Sequence, residues 1–152
     1  VPGVAVQVEV LSEVTPEVVE AFSVLLPQLS RSAPPLDQAA LTAIIESPAI
    51  TLLIARSDGR ISGTLTLVTF PIPTGVRAWI EDVVVDEAAR GQGVGEALTH
   101  RAVEHARAVG ARTVDLTSRP ARAAAGRLYE RLGFALRDSR VYRFELGDRT
   151  AP

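Results

Sequence analysis

Cysteine is absent from the chain, so disulfides, thiolate metal sites and a cysteine nucleophile are excluded together. Lysine is absent as well, and all 16 basic side chains are arginines. Any motif that sets an ammonium against a phosphate is thereby removed, including the Walker A loop, which needs Gly-Lys followed by Ser or Thr. No apolar run approaches the roughly 20 residues that span a bilayer. The stretch Val1 to Val10 lacks the basic, apolar and cleavage regions of a signal peptide. There is no basic surplus either: a net charge of -2 and a pI near 5.7 give no electrostatic reason for a nucleic-acid partner. The expectation is a cytoplasmic protein with no membrane and no nucleic acid among its partners. Methionine is missing too, so a start at Val1 is expected to be processed or trimmed.

What is present is globular. Hydrophobic residues at 47% against charged residues at 22% allow a buried core, and 152 residues suit one domain spanning 1–152. Val4 to Val10 alternates apolar and polar residues as a half-buried strand does. Thr15-Pro16 starts a helix to about Ser30, and Asp37 or a neighbour caps a shorter one ending before Pro48. Ile50 to Arg56 and Ile61 to Phe70 form a hairpin about Asp58-Gly59. Pro71, Pro73 and Gly75 mark a loop, and Arg77 to Val85 is the next strand. A helical stripe runs from Gly93 to about Val109, followed by a short strand from Arg112 to Thr117 and a helix from Ala121 to Leu132. Phe134 to Leu146 fits one bent or two short closing strands, and 147–152 is expected to be a disordered tail. The predicted class is α/β, with a mixed sheet in the order β-α-α-β-β-β-α-β-α-β-β.

Arg90-Gly91-Gln92-Gly93-Val94-Gly95 falls between a strand end and a helix start, where unpaired N–H groups and the helix dipole attract anions. Glycines let the backbone approach a phosphate closely, although a glycine turn also serves close packing alone. A dinucleotide fingerprint from Gly91 needs a third glycine where Glu96 stands, and one from Gly93 needs it where Leu98 stands.

What remains, Arg90-x-x-Gly93-x-Gly95, resembles the signature of the GCN5-related N-acetyltransferase superfamily. Ala124 to Phe134, with Leu128-Tyr129-Glu130 and the closing Gly133-Phe134, looks like that family's late helix, and the element order agrees along the whole chain. The resemblance implies a mostly antiparallel central sheet flanked by four helices, with acetyl-CoA as acyl donor. It places donor contacts on the backbone of Val83, Val84 and Val85 and on Arg90, Gly91, Gln92, Gly93, Val94 and Gly95. Where the family often has an asparagine seven residues before the helix tyrosine, this chain has Arg122, which could reach a phosphate instead.

Acetyl transfer to an amine needs a base, a polarised thioester carbonyl and an acid for the leaving thiolate. Tyr129 holds the family position of the acid, and a phenol with a pKa of about 10 stays protonated at neutral pH. Ile80-Glu81-Asp82 looks like those members in which the first carboxylate is the base, often acting through water, so Glu81 is the expected base. A bland alternative makes Glu81 and Asp82 a charged strand end. His100 and His105 are five apart and miss the one-turn spacing of a two-histidine metal site, so no metal is expected. The acceptor is expected to be a small-molecule amine or a peptide N-terminus, and a homodimer is compatible with the resemblance. A non-catalytic acyl-CoA-binding regulatory module is the competing reading.

Overall fold

A computed structural model describes residues 5–147. The beginning of the expected first strand at Val4 and the expected disordered tail beyond Gly147 lie outside the described residues. The chain divides into two compact units, Val1–Ser118 and Arg119–Pro152.

The first unit holds a five-stranded sheet in the order β1-β2-β3-β4-β5: β1 Val6–Val10, β2 Ile50–Ser57, β3 Arg60–Ile72, β4 Gly75–Val85 and β5 Val114–Asp115. Its first three pairings are antiparallel and β4 runs parallel to β5. The same unit carries helices α1 (Pro16–Leu29), α2 (Gln38–Glu46) and α3 (Val94–Ala108), and a 3-10 turn at Glu87–Ala89 that the sequence reading did not foresee. Helix α4 (Ala123–Arg131) belongs to the second unit. The mixed, mostly antiparallel sheet and four helices agree with the sequence reading.

Local chemistry explains the boundaries. Thr15 Oγ1 accepts the Val18 N–H at 3.3 Å with Pro16 opening α1, and Asp37 Oδ1 accepts the Ala40 N–H at 2.8 Å to open α2. Between Ser57 and its partner Arg60 stand only Asp58 and Gly59, with φ of 52° and 74°, the two-residue turn that matches strand twist. The expected loop at Pro71 to Gly75 is instead mostly strand: β3 continues to Ile72, which pairs with Gly75 across Pro73-Thr74. Proline is tolerated at position 71 because β2 stops pairing with β3 at Val68, so the other edge of β3 asks for no further N–H there.

The closing strands are a correction. Residues 134–147 contain no strand, and Leu136, Tyr142, Phe144 and Leu146 are between 82% and 95% exposed. Alternating apolar residues supply strand propensity, but a strand exists only where a ladder partner takes its N–H and C=O groups.

The two faces of the sheet bury different helices. Leu53, Leu65, Leu67 and Ile80 share one face by their cross-strand pairing, and α3 lies there. On the other face Leu52 and Ile54 join Val18 and Phe22 of α1 and Leu41 of α2 in one core cluster. Gly63 sets how closely α3 approaches. A Cβ built there would stand 2.8 Å from Val94 Cγ1 and 3.1 Å from the Val84 carbonyl oxygen, and both valines are buried. Gly63→Ala is therefore expected to lower unfolding free energy by about 1–3 kcal/mol in urea titrations. Adding Val94→Ala should cost less than the sum of the two single changes, because it removes the opposing methyl groups.

Candidate active site

The ladder between β3 and β4 breaks once. Thr66 pairs with Glu81 and Thr64 with Val84, so Leu65 alone faces two β4 residues, Asp82 and Val83. Asp82 has φ of 49°; among the described residues only Asp58, in the hairpin turn, is another non-glycine with positive φ. Aspartate tolerates this conformation better than most residues, and an extra residue in one strand is a β-bulge.

The bulge decides where β4 points its amides. Asp86 N–H donates to the Ser62 carbonyl at 2.8 Å, so strand alternation turns the Val85 and Val83 N–H groups to the edge away from β3. β5 covers that edge only briefly. Ala78 N–H donates to the Thr113 carbonyl at 3.0 Å, and strand pairing ends at Trp79 with Asp115. Among the described residues no strand pairs with that edge of β4 beyond Trp79, which leaves backbone donors and acceptors of the kind an extended ligand can use.

Glu81 pairs with Thr66 and so shares the face of Leu52, Thr66 and Trp79, the face that α1 and α2 partly cover. Its side chain is exposed at the bulge. Strict alternation would send Asp82 to the opposite face, but the bulge interrupts the alternation at this residue and both carboxylates are exposed. Trp79 is half-buried on the same face as Glu81.

Past β4, the chain makes its 3-10 turn and enters the glycine loop. Gly91 and Gly93 have φ of 80° and 82°, values that would strain any residue with a Cβ. Gly93 is the N-cap of α3 and makes no side-chain cap hydrogen bond, whereas Thr15, Asp37 and Asp86 each cap their own helix or turn through an oxygen. The start of α3 therefore receives no side-chain cap from its N-cap residue at the positive end of the helix dipole, where first-turn amides lack intrahelical acceptors. Val94 and Leu98 are at most 1% exposed, so packing on the sheet fixes this helix end. The Arg90 and Gln92 side chains are exposed, and no ion pair engages Arg90 among the described residues. These groups together suit a pyrophosphate: backbone donors, a helix dipole and an unengaged guanidinium.

In the second unit Tyr129 sits on α4 with its ring 5.8 Å from that of Phe134, edge to face at 62°. Phe134 N–H donates to the Tyr129 carbonyl at 3.0 Å, closing the helix around Gly133. Burial pushes the Tyr129 phenol above its usual range, and the charge of Arg122 opposes part of that rise. Arg122 is the N-cap residue of α4, exposed and without a side-chain cap bond.

Some side chains take other work. His105 Nε2 lies 3.2 Å from Thr51 Oγ1 and joins α3 to β2. Among the described residues no group of three His, Asp or Glu side chains is arranged to hold a metal, and no helix is long and apolar enough to cross a membrane. Sequence reasoning missed the bulge. Its signal was Glu81-Asp82, two charged residues interrupting an apolar strand, with the second of a type that tolerates positive φ.

Residues 16–134 match the model of the acetyltransferase (GNAT) family. Glucosamine 6-phosphate N-acetyltransferase 1 of Oryza sativa subsp. japonica is 37% identical over 114 residues, covering 68% of each chain. Among solved structures, an acetyltransferase of Trypanosoma brucei is 31% identical with a TM-score of 0.75, covering 93% of this chain and 100% of its own. A transcriptional regulator of Bacillus halodurans C-125 is 29% identical with a TM-score of 0.76, again covering 93% and 100%.

The Tyr129 environment has a spectroscopic consequence. Tyrosinate absorbance attributable to Tyr129, taken as wild type minus Tyr129→Phe, is expected to rise above the usual midpoint of about 10. The unfolded chain then ionises first, so this group leaves stability unchanged below about pH 10 and reduces it as pH climbs through the folded-state value. A midpoint at or below the usual value would contradict the burial.

Proposed function

The chain belongs to the acetyltransferase (GNAT) family, and from that premise we propose that it moves an acetyl group from acetyl-CoA directly to a primary amine. The observation that carries this reading is the uncapped, glycine-opened start of α3, following a β4 edge that β5 leaves uncovered. The α3 amides with Arg90, Gly91, Gln92, Gly93, Val94 and Gly95 would hold the pyrophosphate. Along the Val83-Val84-Val85 backbone, the outward-facing groups of Val83 and Val85 would pair with the pantetheine amides as an added strand does. The family match runs through both units, which supports one catalytic domain.

In this reading the amine nitrogen attacks the thioester carbonyl carbon, a C–N bond forms and the C–S bond breaks. A β4 amide at the bulge stabilises the negative charge that gathers on the carbonyl oxygen. Glu81, directly or through water, takes the proton that the amine sheds. Tyr129 gives its proton to the departing sulfur, and the burial that raises its pKa keeps that proton in place at neutral pH. Arg122, whose charge acts on Tyr129, would meet a donor phosphate. The acceptor is a small-molecule amine or a peptide N-terminus, and the likeness to a glucosamine 6-phosphate N-acetyltransferase makes amino-sugar phosphates the first class to assay. A cytoplasmic location and a homodimer fit this activity.

A second reading, a regulatory acyl-CoA-binding module, draws on the similarity to the Bacillus halodurans regulator. Release of free thiol from acetyl-CoA across a panel of amines separates the two, because a sensor binds without turnover. Tyr129→Phe is expected to lower kcat about 10²- to 10⁴-fold with CoA affinity retained, and an unchanged kcat would remove Tyr129 as the acid. Gly93→Ala, at φ of 82°, should weaken CoA binding about tenfold in calorimetry, since an L-residue there costs about 1–2 kcal/mol.

A further inference from the structure

We infer that Gln28 is a positioning residue for the phosphate-facing loop, holding its entry end from the opposite side of the sheet. Gln28 is the penultimate residue of α1, the helix packed on the face away from α3. Its Oε1 accepts the Glu87 N–H at 3.0 Å, and its Nε2 donates to Asp86 Oδ1 at 3.4 Å and to the Val24 carbonyl at 3.2 Å. Asp86 Oδ1 also accepts the Ala88 N–H at 3.2 Å, while the Asp86 N–H is bound to Ser62. One carboxamide therefore ties a helix end to the corner where the chain leaves β4.

The tether matters because little else fixes the stretch that follows. From Glu87 to Gly93 only Ala89 is buried. The backbone bonds recorded inside it are Ala89 N–H to the Asp86 carbonyl at 2.8 Å and a longer one from Arg90 N–H to Glu87 at 3.4 Å. At the far end, Val94 and Leu98 pin α3 to the sheet at Gly63. An exposed span of this kind aims its amides well only if both ends are held, and Gln28 supplies the near hold. A carboxamide suits the place because it donates and accepts at once: the Glu87 N–H needs an acceptor while Asp86 needs a donor. Leucine offers neither.

This inference rests on the proposed CoA-binding role of the loop, so its test measures binding and loop order separately. Gln28→Leu should weaken CoA binding in calorimetry about three- to tenfold, the range of one net hydrogen bond. Amide hydrogen exchange should speed up at residues 87–93, while protection at Leu98 to Ala106 and the Tm of the free protein stay at wild-type values. Gln28→Met, which keeps an unbranched chain on the helix, is the second variant should leucine prevent folding. Unchanged CoA affinity overturns the inference, as does a loss that comes with a lower Tm and lost protection in α3. No CoA binding by the wild type would sink the proposed function first, and the role of Gln28 with it; loss confined to the variants sinks neither.

Discussion

Backbone N–H and C=O groups that leave a sheet must find partners elsewhere, and that requirement organises this molecule at one edge. β4 is paired to β3 on both sides of the bulge at Asp82 and Val83, but β5 meets it at two residues only. The bulge at Asp82 shifts the parity of β4 so that the Val83 and Val85 amides fall on the uncovered side. A strand edge that its neighbour covers only briefly presents backbone donors and acceptors, and these are the groups to which we propose that the extended donor pairs.

The glycine loop depends on the same strand from its other end. Glycines at its αL positions shape the turn, but packing decides where the turn stands: Val94 and Leu98 sit over Gly63, which has no Cβ to hold them off. Two helices on the other face then oppose α3 across the sheet, and the Gln28 amide reaches past the strand end to the loop. Rigid elements on both faces thus hold a short exposed span, an arrangement that gives precision to a loop with little core of its own. The ion pairs of Arg56 with Glu9 and Glu17, at 2.9 and 2.8 Å, are part-exposed and add far less.

Much of the fold was legible because its signals are local. Thr15-Pro16 and Asp37 open helices where an oxygen can meet a first-turn amide, and Asp58-Gly59 makes a hairpin because its two residues accept positive φ. Other features rest on partners far along the chain. Whether Pro71 ends a strand depends on where β2 stops pairing, and whether Phe134 to Leu146 forms strands depends on a ladder partner that alternation cannot supply. The bulge belongs to this second kind, since a register shift is a relation between two strands.

For the site, the sequence by itself determined the chemistry on offer: arginines without lysine, glycines before a helix, a phenol and adjacent carboxylates. These are properties of residue types and spacing, and they were enough to exclude the nucleotide loops that need a lysine or a third glycine. Tertiary structure decided which groups are presented. It turned the Val83 and Val85 amides outward, put Glu81 on the face of Trp79 with Asp82 out of simple alternation, left α3 uncapped and raised the pKa of Tyr129. Orientation, pairing and desolvation arise only when distant segments meet, so no single stretch of sequence contains them.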